Sequence, residues 1–176
     1  MMLRTRTQKI AVAIVLSAIV VVMSPFSFPV GPTKCLPWQH MVNAVAGVLL
    51  GPWYAAVMAT AAGVIRYMLG LGTVFAFPGG IPGALVVGFT HRYLLKSDYA
   101  ALTEPIGTGL IGAALSALIV GPLALGYGLI GGTMTFDTFA VYFSLSSIPG
   151  SVLGFAALLA LRRSRVFSPV DREEGL

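Results

Sequence analysis

The sequence predicts an all-α integral membrane protein with six transmembrane helices. Of its 176 residues, 57% are hydrophobic and only 10% are charged, whereas soluble domains carry about 25% charged residues. Three stretches without Asp, Glu, Lys or Arg are each longer than the roughly 20 residues that a spanning helix needs. They are Cys35–Ile65, Pro105–Phe136 and Thr138–Leu161. None shows the apolar–polar alternation of a membrane β-barrel strand.

The first predicted helix, at about residues 9–23, follows a basic N-terminus and resembles a signal peptide. Ser24-Pro25-Phe26 is a poor cleavage site, so we expect this helix to be retained. Residues 24–37 contain four prolines, which exclude a regular helix and predict a loop long enough to cover a pocket. Small residues on helix 1 allow close approach of another helix, in this chain or in a partner. They are Ala11, Ala13, Ser17 and Ala18.

Five more helices are predicted within a single domain over residues 1–176. Gly51-Pro52 separates helix 2 from helix 3, because proline suits the first turn of a helix. Glycine-rich segments form two further loops, at about 70–80 and 127–135, and a charged tail occupies 162–176. The predicted bounds of helices 2 to 6 are about 38–50, 52–69, 81–95, 105–125 and 136–161.

The basic residues fall mainly on one side of this arrangement. Only Lys34 and Arg66 lie on the side opposite to the termini. By the positive-inside rule both termini are therefore cytoplasmic, and the three loops face outward together. Topology thus explains the pI near 9.7, and we expect no nucleic-acid partner. The basic residues on the side of the termini are Arg4, Arg6, Lys9, Arg92, Lys96, Arg162, Arg163, Arg165 and Arg172.

Three polar residues lie together where helix 2 begins. Gln39 and Asn43 are spaced i,i+4, and His40 and Asn43 are spaced i,i+3, so all three share nearly one helix face. Beside Trp38, such donors and acceptors in a membrane helix indicate a pocket for a small, polar, ring-shaped molecule. For His40 alone, the alternative is a packed, hydrogen-bonded residue.

Arg66 needs a partner, because a charge inside the membrane costs roughly 2.5–3.5 kcal/mol. Asp137 is the only acid predicted on the outward side. We expect these two residues to pair, either as a clamp between helices 3 and 6 or as part of the ligand site. Trp38 and Phe77 are expected to stack on a ligand, although aromatic residues also gather at membrane interfaces.

Several chemical motifs are missing from the sequence. It contains no G-x-x-x-x-G-K-[ST] loop for ATP, no H-E-x-x-H and no G-x-S-x-G. The single cysteine, Cys35, excludes an internal disulfide and a cysteine metal cluster, and we expect neither metal nor cofactor. No two acids lie within one span, so ion-coupled transport lacks a relay. Binding at one face, with the motor in a partner, is the simplest interpretation.

The chain resembles the substrate-binding S components of energy-coupling factor (ECF) transporters, and most closely the ThiW branch, assigned to the thiazole precursor of thiamin. The resemblance rests on KCLPWQHMVNAVAGVLLGPWYA at 34–55 and RYMLGLGTVFAFPGGIPGAL at 66–85, with a weaker match at 24–32. Gly80 stands where the family leads us to expect a serine, which removes one polar contact.

This resemblance implies an S-component-like bundle in the bacterial cell membrane that binds hydroxyethylthiazole from outside. The protein would dock on a membrane T component carrying two ATP-binding-cassette ATPases and then topple to release the ligand inside. Its docking residues would be the small residues of helix 1: Ala11, Ala13, Ser17 and Ala18.

The ligand residues fit this cargo. Gln39, His40 and Asn43 would hydrogen-bond the thiazole nitrogen and the hydroxyl. A neutral alcohol is preferred to its phosphate, because it leaves Arg66 paired with Asp137. Two alternatives remain open: a small membrane enzyme using His40 and Asp137 for acid–base chemistry, and a structural subunit with a dry core.

Overall fold

The computed structural model describes residues 5–30, 33–132 and 134–164. Within these ranges the chain folds into a mostly helical bundle of six helices. We number them α1 to α6 in chain order. The fifth is a continuous rod of short α-, 3-10- and π-helical pieces. Their bounds are Arg6–Met23, Pro37–Leu50, Pro52–Met68, Ala76–Phe89, Asp98–Gly126 and Phe136–Arg163. A π-helical segment, Thr90–Leu95, directly continues the fourth helix.

Three of the described helical segments are long and apolar enough to cross a membrane. They are Arg6–Phe26, Asp98–Gly126 and Phe136–Arg163. In contrast, α2 and α3 have 14 and 17 residues, fewer than the roughly 20 of a spanning helix. The chain reverses sharply between them at Gly51, whose φ of 82° favours glycine. The helices thus support a membrane protein, while length and composition alone identify three spans.

The segment after α1 contains strands that the all-α prediction does not include. A 3-10 turn at Ser24–Phe26 extends α1, and two short strands follow, β1 (Phe28–Val30) and β2 (Thr33–Cys35). The strands pair antiparallel, with Pro29 opposite Lys34. Proline lacks the N–H that a helix interior needs, but an edge strand tolerates it. The proline-rich segment is therefore a small hairpin that leads into α2.

Two helices begin five or more residues earlier than predicted. Ala76 starts α4, so Phe77 and Gly80 belong to a helix and not to the glycine-rich loop. Pro78 is the third residue of α4, where its missing N–H is one of four that lack an intrahelical partner in any helix. Likewise α5 begins with a 3-10 turn at Asp98–Thr103, which was expected to be a polar turn.

The centre of the bundle is α2. All residues from Val42 to Leu50 are buried, and the helix packs against α1, α3, α4 and α6. Close approach is possible because Gly154 of α6 faces Ala44 and Gly47 faces Val87, where a Cβ would lie 2.7 and 2.6 Å from those side chains. A helix that is apolar on all sides belongs in a core. Because α2 is central, the polar residues in its first turns are buried inside the bundle.

Candidate functional site

The polar residues of α2 are buried where this helix meets α4 and α5. Gln39, His40 and Asn43 are 8%, 5% and 0% exposed. Asn43 Nδ2 donates to the carbonyl of Gly80 at 3.0 Å, and Gln39 Nε2 reaches the carbonyl of Ala76 at 3.5 Å. The shared face predicted from their spacing thus points toward α4, while His40 turns toward α5.

His40 is paired with an acid that the sequence analysis did not select. Its Nδ1 lies 2.8 Å from Oε1 of Glu104, and the Glu104 side chain is fully buried. Thr108 Oγ1 lies 2.7 Å from the same oxygen and 3.0 Å from the carbonyl oxygen of Gly79. A Cβ at Gly83 would overlap the Glu104 carboxylate and the Thr108 hydroxyl, so this glycine makes room for them.

Glu104 was missed because it was placed in a polar turn on the cytoplasmic side. The sequence does contain a signal, since Glu104 and Thr108 are spaced i,i+4 and one helix face would carry both. This spacing indicates a shared face only if the helix already includes Glu104, and a helical turn does precede Pro105. Proline usually disfavours helical conformation in the residue before it, which argued for the later start.

Arg66 bonds to Gln39, and the expected pairing with Asp137 is not observed. Its Nη1 donates to Gln39 Oε1, and the residue is only 2% exposed. Asp137 is exposed in the first turn of α6. Among the described residues, Glu104 lies within hydrogen-bond distance of His40 and Asp98 pairs with Arg162, and no acid pairs with Arg66. The prediction was wrong because it considered only acids, whereas an adjacent amide oxygen serves as acceptor.

A cavity opens above these residues, with about 20 Å³ of room for the centres of water-sized molecules. That suffices for roughly one water, so a larger ligand requires the walls to separate. The polar side chains of its lining include the cationic groups of Lys34 and Arg66, the imidazole of His40 and no acid. They are Lys34, Gln39, His40, Arg66, Thr73, Tyr142 and Ser146.

The hairpin and the loop before α4 close over this cavity. Lys34 Nζ donates to the carbonyl of Gly70 at 3.1 Å, and the backbone N–H of Leu36 donates to Ser146 Oγ at 2.9 Å. The first contact joins the hairpin to the glycine-rich loop, and the second joins it to α6. Both contacts are made by the last part of the segment 24–37, from which Lys34 and Leu36 line the cavity.

The aromatic walls differ from those predicted. Trp38 is half-buried and packs against the apolar core, and Phe77 packs near Gly63 of α3; neither lines the cavity. Phe75, Tyr142 and Phe143 do. Because α4 starts at Ala76, Phe75 precedes the helix and faces inward. Phe77 points to α3.

Asn43 and Gly80 lie one turn below the cavity. Asn43 is fully buried and does not line it. A Cβ at Gly80 would overlap Gln39 Nε2, so the serine expected there would displace the Gln39 side chain. Glycine at this position therefore allows α2 and α4 to approach.

The four small residues of α1 occupy two different faces. Ala11 and Ala18 are exposed. Ser17 is buried, and its hydroxyl donates to the carbonyl of Met58 at 3.3 Å. Ala13 and Ser17 line an apolar groove between α1 and α3, with about 340 Å³ of free volume. Ser17 and Ala13 therefore pack within the chain. Of these four residues, only Ala11 and Ala18 lie on the exposed face of α1.

A family model described as "Thiamine-precursor transporter protein (ThiW)" matches residues 10–164. The matched range contains every residue of the cavity lining and of the His40–Glu104–Thr108 cluster. No curated protein and no solved structure matches the chain.

Proposed function

This chain belongs to the ThiW family of thiamine-precursor transporters, and from that premise we propose that it is the S component of an ECF importer in the bacterial cell membrane. Its cargo is hydroxyethylthiazole. The observation that carries the proposal is the covered cavity at the start of α2, where Gln39, His40 and Arg66 line one space. Buried polar groups in a membrane helix are costly and mark a substrate path.

The cavity offers complementary groups for a thiazole alcohol. Arg66, which lines the cavity, supplies N–H donors for the ring nitrogen. His40 and Gln39 supply groups for the hydroxyl. Phe75 and Tyr142 provide aromatic faces. The ring enters when Arg66 and Gln39 separate, so binding exchanges their mutual hydrogen bond for bonds to the ligand.

The phosphate ester of the same thiazole is a second candidate, favoured by a specific observation. Lys34 and Arg66 both line the cavity, and neither forms an ion pair within the described ranges. Without the expected Arg66–Asp137 pair, the preference for a neutral ligand loses its original basis. Two bases that face one cavity suit a phosphate group. Direct comparison of the two ligands decides between them.

Energy must come from partners, because the sequence contains no G-x-x-x-x-G-K-[ST] loop. We assign this role to a membrane T component carrying two ATP-binding-cassette ATPases. The exposed face of α1, with Ala11 and Ala18, would dock on the T component. In the proposed orientation the hairpin-covered end of the bundle faces the outside, and the start of α1 and the end of α6 face the cytoplasm. The protein captures its cargo outside and topples to release it inside.

Binding to purified protein tests the proposed cargo. The chain has two tryptophans, and Trp53→Phe leaves Trp38, which precedes Gln39, as the fluorescent reporter. We expect saturable quenching by hydroxyethylthiazole or its phosphate, and no response to thiamin or the pyrimidine precursor. Folded protein that responds to neither thiazole would contradict the proposal. Turnover of a thiazole without partner ATPases would favour the enzyme alternative.

A further inference from the structure

Glu104 contacts one ring nitrogen of His40, and the other ring nitrogen has no partner among the described residues. His40 Nδ1 lies 2.8 Å from Glu104 Oε1, and His40 also lines the cavity, whereas Glu104 does not. Among the described residues, Nε2 of His40 has no hydrogen-bond partner and is absent from the fully buried unsatisfied atoms. It is therefore the ring nitrogen that a ligand can reach.

We propose that Glu104 is a positioning residue that holds neutral His40 with its proton on Nδ1, so that Nε2 accepts a hydrogen bond from the hydroxyl of the thiazole cargo. The site then selects precursors that carry a hydroxyl donor. This inference rests on the proposed function, because it names the group of the cargo that His40 recognises.

A Glu104 carboxylate is stabilised by a donor at His40 Nδ1. A carboxylate only accepts hydrogen bonds, and a fully buried one is costly without donors. Thr108 Oγ1 and His40 Nδ1 lie 2.7 and 2.8 Å from Oε1, and we assign the His40 contact as Nδ1–H donating to Glu104. The cluster has little freedom to rearrange, since a Cβ at Gly83 would overlap Glu104 and one at Gly150 would lie 2.6 Å from His40 Cβ.

The proposed role of His40 requires a neutral imidazole, because only a neutral ring leaves Nε2 as an acceptor. Lys34 and Arg66 already place two positive charges on the cavity wall, and its described lining contains no acid. An imidazolium would donate from both ring nitrogens and add no acceptor to this wall. With a single proton on His40, Glu104 fixes that proton on Nδ1, as a carboxylate commonly orients an imidazole through its N–H.

The lining is rich in donors, and besides the hydroxyls of Thr73, Tyr142 and Ser146 its side-chain acceptors are Gln39 Oε1 and His40 Nε2. Lysine and arginine side chains only donate, and Gln39 Oε1 already accepts from Arg66. A ligand nitrogen finds donors readily in such a site. A ligand hydroxyl also needs an acceptor for its hydrogen, and His40 Nε2 provides one.

Nitrogen-15 NMR of histidine-labelled protein reads the tautomer directly. The chain has two histidines, and His91→Gln assigns the His40 signals. We expect a neutral His40 ring protonated at Nδ1. Glu104→Met should abolish this preference, while Glu104→Gln, whose amide oxygen can still accept, should keep it. A wild-type His40 that is protonated at Nε2 alone, or that is an imidazolium at neutral pH, would overturn the proposal.

Ligand selectivity is the second readout. Wild-type protein should bind hydroxyethylthiazole at least about tenfold more tightly than its O-methyl ether, because the ether leaves Nε2 without a donor. In Glu104→Met the ratio should approach one, and in Glu104→Gln it should stay high. An unchanged ratio in Glu104→Met would refute the positioning role. Wild-type protein that binds neither compound would instead overturn the proposed cargo, while the tautomer still reports on Glu104.

Discussion

Asn43 shows how one buried amide joins two helices. Its Nδ2 donates to the carbonyl of Gly80 at 3.0 Å, and the residue is fully buried. The Gly80 carbonyl belongs to α4, so this bond fixes α4 against α2 just below the cavity. A helix-joining role replaces direct ligand contact as the interpretation best supported by its position.

Replacing this amide tests that role. We expect Asn43→Ala to destabilise the protein by about 1–3 kcal/mol, because the Gly80 carbonyl loses its donor in a buried site. Thermal unfolding in detergent measures the change. Thr60→Ala is a matched control, since the exposed Thr60 hydroxyl bonds only within its own helix. Equal stability of the two variants would argue against a structural role for Asn43.

The two bases of the cavity make a further prediction at this scale. We expect Arg66→Gln to weaken binding of thiazole phosphate more than binding of the alcohol, since it removes a charge and retains an amide donor. The dissociation constants of both ligands measure the difference. Arg163→Gln, at an exposed arginine at the end of α6, controls for the change in net charge. Equal losses of affinity for the two ligands would show that Arg66 does not bind the phosphate group.

Among the helices, α1 has the clearest division of faces. Ser17 bonds to Met58 and Val20 belongs to the core, whereas Ala11 and Ala18 are exposed. Spacing of small residues alone could not separate these faces. A larger side chain at Ala18 should therefore affect a partner helix and leave the fold of this chain unchanged.

Transport assays with the reconstituted T component and ATPases test this face. We expect Ala18→Leu to abolish thiazole uptake while ligand binding to the isolated protein stays unchanged, because leucine prevents close helix approach. Ala156→Leu, on the exposed face of α6, makes the same change elsewhere and should leave uptake intact. Normal uptake by Ala18→Leu would exclude this docking face.

In the molecule as a whole, the cavity lies beside the first half of α6, and the Arg162–Asp98 pair lies at the C-terminal end of this helix. Arg162 at the end of α6 pairs with Asp98 at the start of α5, while Lys34 and Gly70 meet over the cavity. This separation agrees with the expected positive-inside distribution and underlies the proposed orientation.

Labelling of intact cells with a membrane-impermeant maleimide tests the orientation. We expect Gly131→Cys to react in intact cells and Ser164→Cys only after permeabilisation, both in a Cys35→Ala background. Gly131 has open space around it, and Ser164 is exposed. The wild-type chain is a slow-reacting control, because burial raises the pKa of the Cys35 thiol more than its bond with Ser146 lowers it. The reverse labelling pattern would invert the topology.

By itself, the sequence determined the class of protein, its mainly helical fold and the polar end of α2. Low charge content and long apolar stretches depend only on composition, and the shared face of Gln39 and Asn43 depends only on helical spacing. Family membership, which the family model shows, was also readable from the segments at 34–55 and 66–85.

Only the tertiary structure decided the partners of these residues. Glu104 meets His40 across 64 positions of sequence, and Arg66 bonds to Gln39 instead of Asp137. Local sequence patterns indicate which face of a helix a residue occupies. Which residues pair between helices depends on the axial position of each helix and on its distance from its neighbours. Glycines such as Gly83 allow this close approach, because a Cβ there would overlap side chains of the neighbouring helix. The pattern of a single helix does not show this.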